Sequence, residues 1–322
     1  MRSAFFAILT LFLASYPASA TITPDFQTWL SNNGYSGDNF ARAELGTWGS
    51  TGGKISPNQA ISHQPVIFIH GNSDCALLSN RGPYATGWTN SVSYFSNQGY
   101  SSAELYATTW GDVNSANAAS RTHDCATVQR LRRFVEAVLA YTKAPKVDII
   151  SHSMGVTLGR KVVKGGSIHA KDGTCNIGSS LASQVDTFLG LAGGNYGLCV
   201  CEGTSAVLEA TCNKDNGYWP GDDCGFNFLD CGLAPLPFPC SGVTYSSYLT
   251  ALNGDPTKEG DFVFSAWSFA DDVILYGDNV WDQKTSLIPK SNGHKEYTDK
   301  THMETKETTA ADQYNAVVNH HL

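Results

Sequence analysis

A serine at the centre of a short motif is the side chain of this sequence best placed for nucleophilic chemistry. The motif is Ser151-His152-Ser153-Met154-Gly155, a variant of the G-x-S-x-G nucleophile elbow with Ser151 where glycine is commoner. Small residues are needed two positions before and two after the nucleophile, because the turn folds them against each other, and serine is small enough. The sharp turn should aim His152 back into the fold, so we interpret it as structural. By itself the motif also fits an ordinary serine-rich turn between a strand and a helix.

Two later residues can supply what a serine nucleophile requires. A serine hydroxyl is a weak nucleophile at neutral pH and needs an adjacent base, which a carboxylate must orient. Where such an elbow serves catalysis, the order along the chain is serine, acid, histidine. Ser153, Asp271 and His302 stand in that order. Asp271 lies just past an apolar strand and His302 in a polar loop before the last helix, so we predict the acid and the base at these positions.

Other acids and histidines compete for these roles. Asp272 adjoins the predicted acid, but its side chain should point away if that of its neighbour points inward. Asp278 and Asp282 lie farther into a loop. His294 is the rival base, in a Gly-rich turn that we expect to be exposed. This expected exposure disfavours His294, and the order with Ser153 and Asp271 supports His302 as a base rather than as an ordinary polar histidine.

A second loop offers a hydrogen-bond donor for an oxyanion. The apolar strand 65–69 leads directly into His70-Gly71-Asn72. Glycine there lets the backbone approach a substrate, and the backbone N–H groups of Asn72 and Met154 would face a carbonyl oxygen as it becomes negative. The N-terminus of the elbow helix would add to this effect. A plain strand-to-helix turn is the alternative interpretation.

The elements that must carry these residues alternate between strands and helices. Apolar segments predict strands at 65–69, 104–110, 147–150, 185–192 and 262–267, and periodic segments predict helices around 88–99, 127–141, 154–164 and 310–318. This alternation favours a mostly parallel sheet, in which active groups gather at the carboxyl ends of the strands. We expect residues 21–64 to be irregular, with three aromatic anchors onto the main body: Trp29, Phe40 and Trp48. The terminal His320 and His321 are expected to be disordered.

Residues 1–20 have the pattern of a secretory signal peptide. Arg2 provides a short basic start, residues 4–14 are an apolar run, and residues 18–20 form a small-x-small cleavage signal. The apolar run is too short to span a bilayer, and nothing later in the chain resembles a transmembrane helix. We therefore expect a secreted, extracellular protein with one domain over residues 21–322.

The charge balance argues against nucleic acid as a partner. The chain has 29 acidic and 21 basic residues, for a formal net charge of −8. Phosphate contacts need clustered Lys and Arg. No basic run long enough to suggest an anionic membrane surface is present either.

The cysteines predict a stapled insert. All nine follow the predicted signal peptide, and six of them fall between Cys199 and Cys240. In an oxidising compartment they should form disulfides within an insert at about residues 195–245, whereas the lack of a C-x-x-C pair disfavours zinc. Nine is odd, so one thiol is free or pairs between chains, and the spacing leaves the connectivity open. The apolar residues of the insert either line or cover a pocket, or form only the small core of a stapled loop.

Taken together, these segments resemble the class 2 lipase family of α/β hydrolases, especially the secreted lipase-related proteins of nematodes. The matching pieces are VIFIHGN at 66–72, VDIISHSMGVTLGRKVVKGG at 147–166, WSFADDVI at 267–274, Thr301-His302 and DQYN at 312–315. Small bacterial lipases and an extracellular polyhydroxyalkanoate depolymerase are more distant likenesses. The resemblance implies an α/β-hydrolase fold, with a mostly parallel sheet, helices on both faces and a disulfide-rich insert. It also implies a triad of Ser153, Asp271 and His302 and the hydrolysis of carboxylic esters, with lipids as the expected substrates.

The first functional hypothesis is therefore a secreted serine hydrolase, a triacylglycerol lipase or esterase, that works through an acyl-enzyme. It would need no cofactor and no metal, and would take an ester or lipid substrate with transient contact to a lipid interface. A non-catalytic secreted lipid-binding protein on the same fold is the second hypothesis. Polyester depolymerisation, or transfer of the acyl group to an alcohol, is the third.

Overall fold

Strands and helices alternate along most of the chain in the computed structural model, which describes residues 21–77, 86–221, 231 and 243–322. Its strands are, in chain order, β1 (Ser50–Thr51), β2 (Val66–Ile69), β3 (Leu105–Thr108), β4 (Val147–His152), β5 (Ser167–Ala170), β6 (Gly173–Asn176), β7 (Val185–Leu191), β8 (Phe262–Ser268), β9 (Asn279–Val280), β10 (Gln283–Lys284) and β11 (Gly293–Tyr297). Its α-helices are α1 (Pro24–Asn32), α2 (Thr89–Asn97), α3 (Cys125–Thr142), α4 (Met154–Lys164), α5 (Ser205–Leu208), α6 (Ser247–Gly254), α7 (Glu304–Glu307) and α8 (Ala310–Asn319).

A seven-stranded sheet in the order β1-β3-β2-β4-β7-β8-β11 forms the centre of the protein. All neighbouring strands run parallel except the short edge strand β1, which is antiparallel to β3. Ile149 of β4 lies in register between Ile67 of β2 and Phe188 of β7, and all three are buried. Because helices cover both faces of a parallel sheet, its central strands need continuous apolar runs rather than alternating ones. The predicted mostly parallel sheet is confirmed.

Two apolar cores lie on the two sides of the sheet. On one side, α1, α3, α4 and α6 pack their apolar residues against the sheet, including Val135 of α3 and Leu158 of α4. On the other side, Phe95 of α2 and Val317 of α8 belong to the second core. The helices predicted at 127–141, 154–164 and 310–318 are α3, α4 and α8, and α3 begins slightly earlier because Asp124 caps it by accepting the Thr127 N–H.

The segment 21–64, predicted to be irregular, instead opens with the helix α1. Thr23 caps it by accepting the Phe26 N–H, Pro24 occupies the first turn, and Phe26 and Leu30 are buried one turn apart. A capping threonine before a proline is a helix-start signal in the sequence, and the apolar pair at i, i+4 gives the helix a face to bury. The prediction of an irregular segment was wrong on this point.

Three disulfides join described cysteines, and two of them confirm the stapled insert. Cys199 pairs with Cys231 and Cys201 with Cys212, both within the insert, whereas Cys125 of α3 pairs with Cys175 of β6. Cys224 and Cys240 lie outside the described residues, as does most of the apolar part of the insert at 222–230 and 232–242.

Four other expectations concern the ends of the chain, membrane-spanning helices and metal ions. The predicted signal peptide at 1–20 lies outside the described residues. His320, expected to be disordered, stacks on Phe262 at 3.8 Å between ring centroids and hydrogen-bonds to Asp186. None of the helices in the described ranges is long and apolar enough to cross a membrane. Over the same ranges, no group of three or more His, Cys, Asp or Glu side chains is arranged to hold a metal ion.

Candidate active site

Ser153 lies at the tip of the turn between β4 and α4. Its backbone has φ 54° and ψ −128°, a conformation that non-glycine residues rarely adopt. The Ser153 N–H donates to the carbonyl of Leu191 at 2.9 Å, which anchors the turn to the end of the neighbouring strand β7. Ser153 is half-buried, whereas His152 before it and Met154 after it are buried. A strained strand-to-helix turn that presents a serine is the geometry of a nucleophile elbow.

Small residues on both sides of the elbow let it lie against β2. A Cβ atom on Gly155 would be 2.4 Å from the carbonyl oxygen of Ile69 and 2.5 Å from that of His70, so only glycine fits there. Ser151, the departure from the usual motif, is fully buried and its hydroxyl donates to the carbonyl of Leu189 at 3.0 Å. The extra hydroxyl is therefore satisfied inside the sheet and does not distort the turn.

His302 and Asp271 form a buried hydrogen-bonded pair. His302 Nδ1 donates to Asp271 Oδ2 at 2.7 Å, and Oδ1 accepts the backbone N–H groups of Val273 at 2.9 Å and Ile274 at 2.7 Å. Burial would raise the pKa of Asp271, but His302 and the two N–H donors outweigh it, so the pKa of this carboxyl is lowered. Asp271 is therefore an ionised acceptor whose orientation is fixed on both oxygens.

The competing acids and the rival base make other contacts. Asp272 is exposed and accepts the backbone N–H of His302 at 2.9 Å, so it holds the main chain rather than the ring. Asp278 is buried against Ser286, and burial raises its pKa to about 7. His294, expected in a turn, lies in β11 and stacks on Trp267. Asp282 is exposed beyond β9.

His152, in the turn that carries Ser153, contacts His302. Its Nε2 donates to the backbone carbonyl of His302 at 3.0 Å, and the two ring centroids are 4.6 Å apart. Burial lowers the pKa of His152 well below its ordinary value, so the ring is neutral. Between the described residues Ser153 and His302 no hydrogen bond is formed. The structure thus brings His302 into contact with His152, the residue next to Ser153, and hydrogen bonds hold both its ring and its main chain.

The loop after β2 lies directly against the elbow. A Cβ atom on Gly71 would be 2.7 Å from the Cβ atom of Ser153, so glycine is required for this approach. His70 Nδ1 donates to the Gly71 carbonyl at 2.7 Å, and Nε2 accepts the Trp110 N–H at 2.9 Å. Burial lowers the pKa of His70 to about 4, which keeps its ring neutral and able to accept this bond. His70 therefore fixes the loop rather than taking part in proton transfer.

Arg121, which the sequence analysis did not single out, holds the side chains of this loop. Its Nη1 donates to Asn72 Oδ1 at 2.7 Å and to the Ser73 hydroxyl at 2.6 Å. The Asn72 amide in turn donates to the Ala118 carbonyl at 3.0 Å. In the part of the chain that the structure describes, no acceptor bonds to the backbone N–H of Asn72 or of Met154. Both N–H groups are thus left available beside Ser153. No local signal marks Arg121 for this role, because its partners in the loop, Asn72 and Ser73, are almost fifty residues away.

The mostly parallel sheet, with its strained serine between a strand and the next helix, defines this protein as an α/β hydrolase. The model of the Lipase (class 2) family matches residues 63–315, more than three quarters of the chain. The chain therefore belongs to the class 2 lipase family and is a carboxylic ester hydrolase, as the resemblance implied.

Solved structures are similar in fold at low sequence identity. Lipase B from Aspergillus fumigatus superposes with a TM-score of 0.52 at 12% identity, covering 86% of this chain and 57% of that one. The chain thus spans 57% of the length of that lipase. The Bacillus licheniformis lipase BlEst2 gives a TM-score of 0.47 at 10% identity, over 82% of this chain and 95% of that one. The Paleococcus ferrophilus monoacylglycerol lipase gives 0.45 at 11%, over 84% and 97%. At these identities the likeness concerns the fold alone.

Proposed function

We propose that the protein is a secreted serine hydrolase that cleaves lipid esters through an acyl-enzyme on Ser153. His302 is the base, Asp271 orients it, and the N–H groups of Asn72 and Met154 form the oxyanion hole. The single observation that carries this proposal is the buried 2.7 Å hydrogen bond between His302 and Asp271, formed beside a strained serine elbow. Asp271 and His302 are far apart in sequence, so this contact is a product of the fold.

The proposed reaction has two steps. The Ser153 oxygen attacks the ester carbonyl while its proton passes to His302 Nε2. The carbonyl oxygen becomes an oxyanion that accepts hydrogen bonds from the N–H groups of Asn72 and Met154, and the alcohol leaves with the proton from His302. Water then attacks the carbonyl of the acyl-enzyme while its proton passes to His302, His302 returns a proton to the Ser153 oxygen, and the acid is released. Asp271 stays ionised and holds Nδ1 as a donor throughout.

The absence of a Ser153–His302 bond is compatible with this role. Catalytic hydrogen bonds are often long in a free enzyme and tighten only when the substrate binds. His302 is anchored by its carbonyl to His152, by its N–H to Asp272 and by its ring to Asp271. A small movement of the Ser153 side chain is then sufficient, since the base itself is already held.

Exposed apolar side chains around Asp271 favour lipids over small soluble esters. Phe269 is 61% exposed, Leu275 39% and Tyr276 44%, and all three belong to the turn that carries the acid. Apolar side chains clustered next to a site offer a surface that a lipid aggregate can contact. Secretion is supported by the predicted signal peptide and by three disulfides, since disulfides persist in oxidising compartments.

Covalent labelling with a fluorophosphonate tests the proposed nucleophile, because labelling requires an activated serine. Ser153→Ala should abolish labelling and lower kcat on esters by about 10⁴ or more with an unchanged melting temperature. Ser151→Ala is the matched control, a buried serine of the same motif, and should still be labelled. A Ser153→Ala variant that keeps ester hydrolysis contradicts the proposal, and a wild-type protein that is neither labelled nor active points to a lipid-binding role.

A comparison of emulsified and soluble substrates tests the lipid assignment. Phe269→Ser should lower the rate on a triglyceride emulsion several-fold more than the rate on a short soluble ester. Val318→Ser on α8 is a control with similar exposure, 42%, outside the site. Equal loss on both substrates, or wild-type activity on soluble esters alone, would reduce the assignment from lipase to esterase.

A further inference from the structure

A buried ion pair lies between the loop after β2 and helix α7. Lys306 Nζ lies 2.6 Å from Asp74 Oδ2, and each side chain is only 1% exposed. The ammonium also donates to the Gly87 carbonyl at 2.6 Å and the Thr86 hydroxyl at 2.9 Å, so all three of its protons have acceptors. The second oxygen of Asp74 accepts the Gly87 N–H at 2.8 Å. The pair is therefore fully hydrogen-bonded, and Glu307 Oε1 also lies 3.2 Å from the same ammonium.

The ion pair connects two segments that carry different parts of the site. Asp74 comes two residues after Asn72, and its N–H closes the turn by donating to the Gly71 carbonyl at 3.3 Å. Lys306 lies one helical turn after His302, and its N–H donates to the Met303 carbonyl at 3.0 Å. The oxyanion loop and the segment that holds the base are thus joined directly by the charges.

Stability alone is a weak explanation for such a pair. Taking two charges out of water costs several kcal/mol per ion before their attraction is counted, so well-packed apolar residues are often as stable or more so. What a satisfied ion pair does provide is a defined distance between the two groups that it joins. A misplacement of about 1 Å in a catalytic group lowers rates by roughly 10². This pair lies between the loop that carries the Asn72 N–H and the segment that carries His302. The distance between these two groups affects the proposed reaction.

We infer that Lys306 and Asp74 are positioning residues, which hold the Asn72 N–H at a set distance from His302. The inference rests on the proposed function, because it assigns a role to the loop that this function uses. Arg121 holds the same loop through the side chains of Asn72 and Ser73, and Lys306 holds it from the side of the base. The two cations together leave the loop little freedom to move away from the elbow.

A double-mutant cycle separates positioning from stability. Lys306→Met alone leaves Asp74 charged and buried, and should lower the melting temperature. Lys306→Met with Asp74→Asn removes both charges of the pair and keeps the oxygen for the Gly87 N–H. Glu307, whose Oε1 lies 3.2 Å from Lys306 Nζ, is 15% exposed and keeps the Asn90 amide on Oε2, so the melting temperature should return to within a few degrees of wild type. Under the inference kcat on a soluble ester stays at least tenfold below wild type in this double variant, with KM within about twofold.

Arg160 and Glu259 supply a matched control pair. They lie 2.8 Å apart, each side chain is 1% exposed, and neither contacts the two segments joined by Lys306. Glu259 also lies 3.4 Å from Lys164 Nζ, which keeps two acceptors, the carbonyls of Asp255 and Thr257, when Glu259 is replaced. Arg160→Met with Glu259→Gln should therefore change kcat by less than threefold at a comparable melting temperature. If the Lys306 double variant loses no more kcat than this control, the pair serves stability alone and the inference is wrong.

Two further measurements keep the test decisive. Should the double variant not fold, Asp74→Asn alone, which is nearly isosteric, replaces it, and an unchanged kcat in that variant overturns the inference. Ser153→Ala in the same assay tests the proposed function separately. Activity that does not depend on Ser153 refutes that function, whereas Ser153-dependent activity that survives loss of the ion pair refutes only the positioning role.

Discussion

Replacement of Asp271 by asparagine has a consequence that the surrounding hydrogen bonds determine. Asp271 Oδ1 accepts two backbone N–H groups, from Val273 and Ile274, while Oδ2 accepts His302 Nδ1. An asparagine keeps its oxygen on the two backbone donors, and this turns its NH₂ group toward Nδ1. Two donors cannot bond, so Nδ1 must lose its proton and Nε2 must carry it. The ring then has no lone pair at Nε2 to accept the proton of Ser153.

The expected magnitude follows from this change of tautomer. A carboxylate-to-amide change that reverses the tautomer of a catalytic histidine lowers kcat by about 10⁴. At about 1.36 kcal/mol per factor of ten, this adds ~5.4 kcal/mol to the barrier. Stability should change less, because the bonds to Val273 and Ile274 remain and the bond to His302 is replaced by a neutral one, at a cost below the about 1.5–3 kcal/mol of losing a bond to a charged group.

The stability difference should also depend on pH. Burial opposes ionisation of Asp271, but His302 and the two N–H donors prevail and lower its pKa below the usual value. The ionised carboxylate therefore stabilises the fold above the pKa of the unfolded chain, and this contribution disappears as the pH falls through the folded pKa. The difference in free energy of unfolding between wild type and Asp271→Asn should accordingly shrink on acidification.

Steady-state kinetics on a soluble chromogenic ester, with denaturant unfolding at several pH values, measure both effects. Asp272→Asn is the control, since an asparagine there keeps an oxygen for the His302 N–H, and its kcat should stay within about threefold of wild type. The tautomer argument is refuted if Asp271→Asn retains more than a tenth of the wild-type kcat, or if Asp272→Asn loses more activity than Asp271→Asn.

Two other predictions concern the sheet and the loop beside it. Burial raises the pKa of Asp148 to about 7, so the stabilising contribution of its protonated form is present at low pH and is lost as the pH rises toward 7. In denaturant unfolding, Asp148→Asn should therefore gain stability relative to wild type by a few kcal/mol between pH 4 and 8, at about 1.4 kcal/mol per pKa unit. A difference that stays constant with pH contradicts this prediction. Gly71→Ala places a Cβ atom 2.7 Å from that of Ser153 and should lower kcat at least tenfold by displacing the serine. Gly37→Ala is the control, since the space around Gly37 is open, and should leave kcat unchanged. Equal activity of the two variants would show that the elbow tolerates the contact.

Local patterns in the sequence were sufficient for the framework of the fold. The apolar runs that form β2, β4, β7 and β8, and the periodic stripe of α3, are properties of neighbouring residues, so they can be read without knowing the fold. The same holds for the small residues around Ser153, which a tight turn requires at fixed positions. Among the helices that were missed, α1 had a capping signal in Thr23 but a short apolar face, and its burial against α3 depends on residues far along the chain.

The order Ser153, Asp271, His302 could be read from the chain, and the catalytic roles of these residues stay a prediction. Which atoms meet could not be read, because the contacts join residues far apart. Adjacent acids such as Asp271 and Asp272 differ only in side-chain direction, and in the fold one accepts the ring of His302 and the other its main chain.

The sequence by itself determined the class of this protein, since a strand, a strained serine turn and a helix form a local unit with a recognisable pattern. Only the tertiary structure decided how the site is held. Three contacts join segments that are separated along the chain: the Cys125–Cys175 disulfide, the hydrogen bond from Arg121 to Asn72 and the Lys306–Asp74 ion pair. Charge, burial and distance act through space, and long-range packing sets them. The turn at Ser153 can therefore be predicted from the residues adjacent to it in sequence, whereas the long-range contacts that hold the site cannot.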